Sequence, residues 1–234
     1  MSVFKFKHFQ IQQKHAALKV GTDSMILGSL CQWNSPKRLL DIGTGTGVLA
    51  LMCAQRFLFE EIIGLEISEE AFIDAMENAE SSPFQSRISV FNQALQDYQS
   101  ESPFDAIISN PPFFENSFKN ADSQKTLARH TDSLTFEELL NSIANLLSSD
   151  GKAWLIIPFD AFDSLIRLAE RNNLFPADLI TIFGKPNKSA RVVLSLQKKQ
   201  VDAKKSSLCI RDEHGKYTPE YKVLTRDFHD RVLD

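Results

Sequence analysis

From Arg38 onward the apolar residues fall in short runs separated by amphipathic stretches. Leu39-Leu40-Asp41-Ile42, Ile62-Ile63-Gly64-Leu65-Glu66, Arg87 to Phe91, Phe104 to Ser109 and Ala153 to Ile157 are each too short for a helix and end in Gly, Pro or polar residues. They read as buried strands. Between them lie segments with helical spacing. One runs from Val48 to about Phe57, and another follows Ser68, with Glu69 and Glu70 in an acid-favouring first turn. A third opens on the capping box Thr135-Phe136-Glu137-Glu138 and continues through Leu139, Leu140, Ile143, Leu146 and Leu147 to Asp150-Gly151. Ala161 to Arg171 is a fourth. Strand and helix in alternation predict an α/β fold with parallel strands. Two further β-rich runs, Asp178 to Phe183 and Ala190 to Lys198, are joined only by Gly184 to Lys188. That link allows a hairpin but no parallel crossover. The predicted fold is a doubly wound α/β sheet, mostly parallel, with an antiparallel hairpin at one edge.

Two segments break the alternation: the polar stretch Phe113 to Leu134, and the tail from Gln200. The first follows a strand's C-terminal end, where open α/β sheets bind ligands, so its length predicts a functional loop. The expected organisation is an N-terminal basic segment (1–34) that covers the ligand site, a core (35–199) and a basic C-terminal extension (200–234) packed on it.

Composition narrows the picture slightly. A hydrophobic fraction of 43% suits a soluble core. No apolar run approaches the roughly 18 residues of a membrane span, and no signal-peptide pattern opens the chain. Cys31, Cys53 and Cys209 are too few and too scattered for a disulfide framework or a zinc site, which predicts a reduced, cytoplasmic setting and no metal. The net charge is −4, but the ends are basic. Lys5, Lys7, Lys14 and Lys19 lie in the first 22 residues, and Lys185, Lys188, Arg191, Lys198, Lys199, Lys204 and Lys205 follow Gly184. Such ends on an acidic body are expected to grip a polyanion; single lysines read equally as solvated surface.

Candidate chemistry begins at Asp41-Ile42-Gly43-Thr44-Gly45-Thr46-Gly47, between the first strand and the first helix of the alternation. Alternating glycines allow close backbone approach to a ligand. Glu66 ends the next strand, where a carboxylate can take both hydroxyls of a ribose. This arrangement is Rossmann-like, yet Val48 occupies the third glycine of the dinucleotide fingerprint. An acid before the loop also opposes a pyrophosphate and tolerates an ammonium. S-adenosylmethionine fits better than a nicotinamide dinucleotide.

Asn110-Pro111-Pro112-Phe113 closes the Phe104 to Ser109 strand. Two prolines make a stiff elbow with bare carbonyls. Flanked by an amide and a flat ring, the elbow can accept both hydrogens of one planar amine while the ring stacks on the group that carries it. The chemistry predicted is transfer to an exocyclic amino group.

Together these residues resemble the class I methyltransferases. Asp41 to Gly47 is similar to their first motif, Glu66 to their ribose-binding acid, and Asn110 to Phe113 to the N-P-P-aromatic motif of amino-methylating members. Lys19-Val20-Gly21-Thr22-Asp23 with Leu27-Gly28, Arg129-His130, and Tyr217-Thr218-Pro219-Glu220-Tyr221 with Leu224-Thr225 resemble segments of the bacterial tRNA(Val) adenine-N(6) methyltransferases. That resemblance implies a monomeric enzyme that uses S-adenosylmethionine, releases S-adenosylhomocysteine and methylates the adenine immediately 3′ of the anticodon. It implies Asn110 and Pro111 as catalytic acceptors, and Pro112, Phe113, Arg129 and His130 as substrate contacts. It also implies a cofactor site from Lys19, Gly21, Thr22, Asp23, Asp41, Gly43, Thr44, Gly45, Gly47, Glu66, Ile67, Gln93, Ala94 and Asn110. The target base would leave its stack to reach the elbow.

Three other readings use the same motifs. Release-factor glutamine methyltransferases present an amide nitrogen to such an elbow, but usually carry Tyr at the position of Phe113 and a preceding helical domain. Only about 35 residues precede Leu39, too few for one. Guanine-amine methyltransferases of ribosomal RNA generally carry an extra domain. A catalytically dead nucleotide-binding scaffold would not need Asp41, Glu66 and Asn110 intact.

Overall fold

The structure, a computed structural model, describes residues 2–16, 20–111, 134–230 and 233. Its centre is an eight-stranded sheet. The strands, in chain order, are β3 (Arg38–Ile42), β4 (Glu61–Glu66), β5 (Ile88–Asn92), β6 (Phe104–Ser109), β7 (Leu147–Pro158), β8 (Phe175–Lys185), β9 (Lys188–Gln197) and β10 (Lys204–Cys209). Their spatial order is β10-β8-β9-β7-β6-β3-β4-β5. β9 pairs antiparallel with both β7 and β8, and the other pairs are parallel.

The strand reversal occurs between β3 and β6, which pair in register from Leu39↔Ala106 to Ile42↔Ser109. From β3 the chain winds outward through α2 (Val48–Arg56), β4, α3 (Glu69–Glu80) and β5, and from β6 the other way through α4 (Phe136–Leu146), β7, α5 (Phe162–Arg171) and β8. The C-terminal ends of β3 and β6 therefore flank a topological switch point, the place where such sheets hold ligands.

Both faces of the central strands are covered, which is why Leu39, Leu40 and Ile42, and Ala106, Ile107 and Ile108, are all buried despite pointing alternately up and down. One core lies under α1 (Thr22–Leu30) and α2; the other lies under α4 and α5. The caps foreseen are in place: Ser68 Oγ accepts from Ala71 N, and Thr135 and Glu138 form the reciprocal box.

Two features were not foreseen. The tail adds β10 outside the hairpin, parallel to β8, and ends in α6 (Pro219–Thr225), capped by the Thr218 side chain. The phenylalanine-rich N-terminus forms a separate hairpin, β1 (Ser2–Lys5) with β2 (Gln10–Gln13). That hairpin joins the two ends of the chain. Lys7 N donates to Phe228 O at 3.0 Å, Phe6 bridges to His229, and the Phe6 and Phe228 rings meet edge-on at 6.4 Å.

β10 also relocates the basic tail. Lys204 pairs with Asp178 near the start of β8, Lys198 Nζ donates to Leu147 O at the start of β7, and Lys199 binds Asp150 at 2.5 Å. These lysines lie at the N-terminal ends of the parallel strands, opposite the switch point. A polyanion gripped by Lys198, Lys199, Lys204 and Lys205 would therefore lie away from the switch point.

Candidate active site

The glycine loop leaves β3 at the switch point. Gly43, Gly45 and Gly47 have φ of 67°, 58° and 80°, the left-handed region that side chains resist. A Cβ on Gly43 or Gly45 would meet no protein atom within 4 Å. The loop therefore presents its backbone to open space there, whereas a Cβ on Gly47 would meet Ala75 at 3.6 Å. Thr44 N donates to Leu65 O at 2.9 Å, which lays the loop on β4.

Asp41 holds this loop from behind. Its carboxylate is fully buried; Oδ2 accepts from Thr44 Oγ1 at 2.6 Å and from Ala50 N at 3.1 Å, while Oδ1 has no partner among the described residues. Burial pushes its pKa up to about 7 against the lowering effect of the Thr44 and Ala50 hydrogen bonds, with the Glu66 charge raising it further. On the sequence reading an acid here tolerates a cofactor ammonium; the side chain braces the turn into α2.

Glu66 stands at the end of β4, partly exposed. Its Oε2 accepts from Gly45 N at 2.8 Å and its Oε1 from Ser68 N at 3.0 Å. A carboxylate has about four lone-pair sites, so both oxygens retain capacity for a diol. Ile67 beside it is 55% exposed, an apolar platform next to the ribose position. Gln93 N donates to Glu66 O at 3.1 Å, and Ala94 opens the short turn Leu95–Asp97. Glu66, Ile67, Gln93 and Ala94 thus share one rim of the open space. The arrangement fits S-adenosylmethionine: a closely approachable glycine backbone, an acid with capacity for a diol and an apolar shelf.

Across the switch point stands Asn110, directly after Ser109, whose Oγ donates to Ile42 O at 2.8 Å. The Asn110 Nδ2 donates to Ser24 Oγ at 3.3 Å. That bond orients the amide and leaves Oδ1 as an acceptor. Pro111 is buried. Lys19, Pro112, Phe113, Arg129, His130 and the Phe113 to Leu134 loop lie outside the described residues, apart from Leu134 itself.

Ser24 belongs to α1, whose first turn carries the other expected cofactor residues. Gly21 is the N-cap, and Thr22 and Asp23 begin the helix. Asp23 is held by Arg191 of β9 at 2.8 Å. That ion pair pins the start of α1 over the C-terminal ends of β6 and β7 and the N-terminal end of β9, so the Asp23 carboxylate is taken up in positioning the helix.

Two residues of α3 fasten the segment that precedes α1. Asp74 Oδ2 accepts from His15 N and Ala16 N, both at 2.9 Å. Asn78 accepts from Gln12 N at 2.8 Å and donates to Gln12 O at 2.9 Å and to Thr46 O at 3.0 Å. Asn78 therefore joins the N-terminal hairpin to the glycine loop. Neither residue, nor Ser24, nor the Asp23–Arg191 pair was anticipated. The buried face of α3 reads Ala71, Asp74, Ala75, Asn78, Ala79. A polar pair four residues apart on an alanine face was the available signal.

The sheet order, the glycine loop with its ribose acid, and the amide elbow define a methyltransferase of the class I fold. A model described as the methyltransferase small domain matches residues 15–161. The chain is 40% identical to the tRNA1(Val) (adenine(37)-N6)-methyltransferase of Pedobacter heparinus, over 97% of each chain. It is 36% identical to the one from Pseudoalteromonas translucida, over 98% of this chain and 99% of that protein. The chain belongs to this family. Among solved structures, a predicted O-methyltransferase from Agrobacterium tumefaciens superposes with a TM-score of 0.68 at 18% identity, covering 88% of this chain and 96% of the other. The TYW2 protein of P. horikoshii in complex with MeSAdo gives 0.61 at 14% identity, over 85% and 72%. These two establish the fold.

Proposed function

We propose that the chain methylates the exocyclic N6 of the adenine 3′ of the anticodon, position 37, in a tRNA(Val), with S-adenosylmethionine as donor. The family membership supports the substrate. The observation that carries the chemistry is the Asn110 amide, held by Ser24 with no partner on Oδ1 among the described residues, and following Ser109, which pairs with the Ile42 that precedes Gly43. Neighbouring strands lie about 4.8 Å apart, so the acceptor elbow and the donor loop face one space.

S-adenosylmethionine supplies an activated sulfonium methyl when bound. The residues that would hold it are the loop backbone at Gly43 to Gly47 and the Glu66 carboxylate, with Ile67, Gln93 and Ala94 around the adenine. An adenine amine is planar, its lone pair delocalised into the ring. Asn110 Oδ1 and the Pro111 carbonyl, accepting its two hydrogens, favour the pyramidal form and turn the lone pair toward the methyl. These acceptors bind more strongly as positive charge grows on the nitrogen, which is the differential binding that accelerates a reaction. The protonated product loses its proton to water, so a strong base is not required.

Incubation with labelled S-adenosylmethionine and total tRNA, followed by nucleoside mapping, tests this. Label in N6-methyladenosine at position 37 of tRNA(Val) is expected. Label confined to a guanine amine of ribosomal RNA or to a protein glutamine would overturn it.

A further inference from the structure

The catalytic edge of the sheet continues past Asn110 onto β7 and β9. Pro158 ends β7, and Phe159 follows with 42% of its surface exposed. Pro158 pairs with Arg191, whose ion pair to Asp23 fixes α1 beside Asn110. Three residues before Arg191 is Lys188, which pairs with Lys185 across the hairpin tip. Strand rise is about 3.3 Å per residue, so the tip stands roughly 10 Å beyond that ion pair. Lys185, Pro186, Asn187 and Lys188 are exposed, and among the described residues neither lysine has an ion pair.

We infer that Phe159 and the hairpin tip Lys185/Lys188 form a flank-binding surface for single-stranded RNA. Phe159 stacks a base next to the target nucleotide, and the two lysines hold the following phosphates. An exposed ring next to unpaired cations is the pairing that single-strand binders use, because any base offers a face to a ring and each phosphate a charge to a lysine. Asp160 follows Phe159 and tempers the charge there, so the base contact belongs to that position and the phosphate contacts to the tip. The inference rests on the tRNA reading above, and it separates these cations from Lys204 and Lys205 at the opposite edge.

The test is binding of a fluorescent tRNA(Val) transcript to the full chain over a salt series. Phe159→Ala should weaken binding by about fivefold to a hundredfold, and Phe159→Tyr should restore it. Lys185→Ala with Lys188→Ala should lower the slope of log affinity against log salt by about 1.4. Lys204→Gln with Lys205→Gln should match the wild type. Wild-type affinity in both the Phe159→Ala and tip variants, or an equal loss in the Lys204/Lys205 variant, overturns the inference. Binding that depends on this surface without any methyl transfer overturns the functional reading alone. A wild-type chain that binds no tRNA overturns both.

Discussion

Asn78→Ala probes the join between the N-terminal hairpin and the glycine loop. The Asn78 side chain is fully buried and makes three hydrogen bonds, two to Gln12 and one to Thr46. A buried hydrogen bond contributes about 1 kcal/mol net, and truncation also strands the Gln12 amide and the Thr46 carbonyl. The loss should therefore be roughly 3 kcal/mol. A domain of this size loses about 2–4 °C of Tm per kcal/mol, so thermal unfolding should fall by roughly 6–12 °C. The Thr46 bond also steadies the glycine loop proposed to hold the cofactor, so calorimetry should show weaker S-adenosylmethionine binding. Gln12→Ala, which keeps the backbone partners, should leave both readings near the wild type. A Tm drop below about 3 °C, where a drop near 9 °C is expected from that slope, with unchanged cofactor affinity would refute the join.

The other predictions concern the site itself. Asn110→Ala should abolish methyl transfer while calorimetric cofactor affinity stays within a few-fold; unchanged turnover would sink the amine-acceptor mechanism. Ser24→Ala should lower kcat and leave cofactor affinity alone, since the hydroxyl only orients the Asn110 amide, and an unchanged kcat would remove that role. Burial pushes the Asp41 pKa up in the folded state from the ordinary 3.8 to about 7. Between those values the folded state holds the extra proton, so stability is fully present below about pH 4 and declines as pH rises through about 7. Asp41→Asn should flatten that decline in a series of denaturant melts, whereas a steeper or identical pH slope would place the titration elsewhere.

The strands nearest the switch point were readable because each is apolar on both faces and ends in a loop with its own chemistry. Asp41, Glu66 and Asn110 stand out for the same reason: polar residues at the ends of buried strands. β10 was not readable. Lys204 to Ser207 are exposed, and only Leu208 of the strand is buried, so no alternation marked it. Ser24, Asp74 and Asn78 escaped for a different reason. Their partners lie 86, 59 and 66 residues away, at Asn110, His15 and Gln12, and local spacing carries no trace of such pairings. For Asp41 the residue type and position were legible, and only its burial reveals that the carboxylate braces the loop.

The meeting of the chain ends has a consequence for synthesis. Phe6 is made well before Phe228, the partner against which it closes. At about 5–20 residues per second, the hairpin waits on the order of ten to forty seconds on the ribosome for its partner. Phe9 meets Phe84 much earlier, so the wait falls on the Phe6 side of the hairpin. The same hairpin leads into the segment that Asp74 and Asn78 fasten beside the glycine loop. The nascent protein thus completes the strands of its central sheet before Phe6 can close against Phe228.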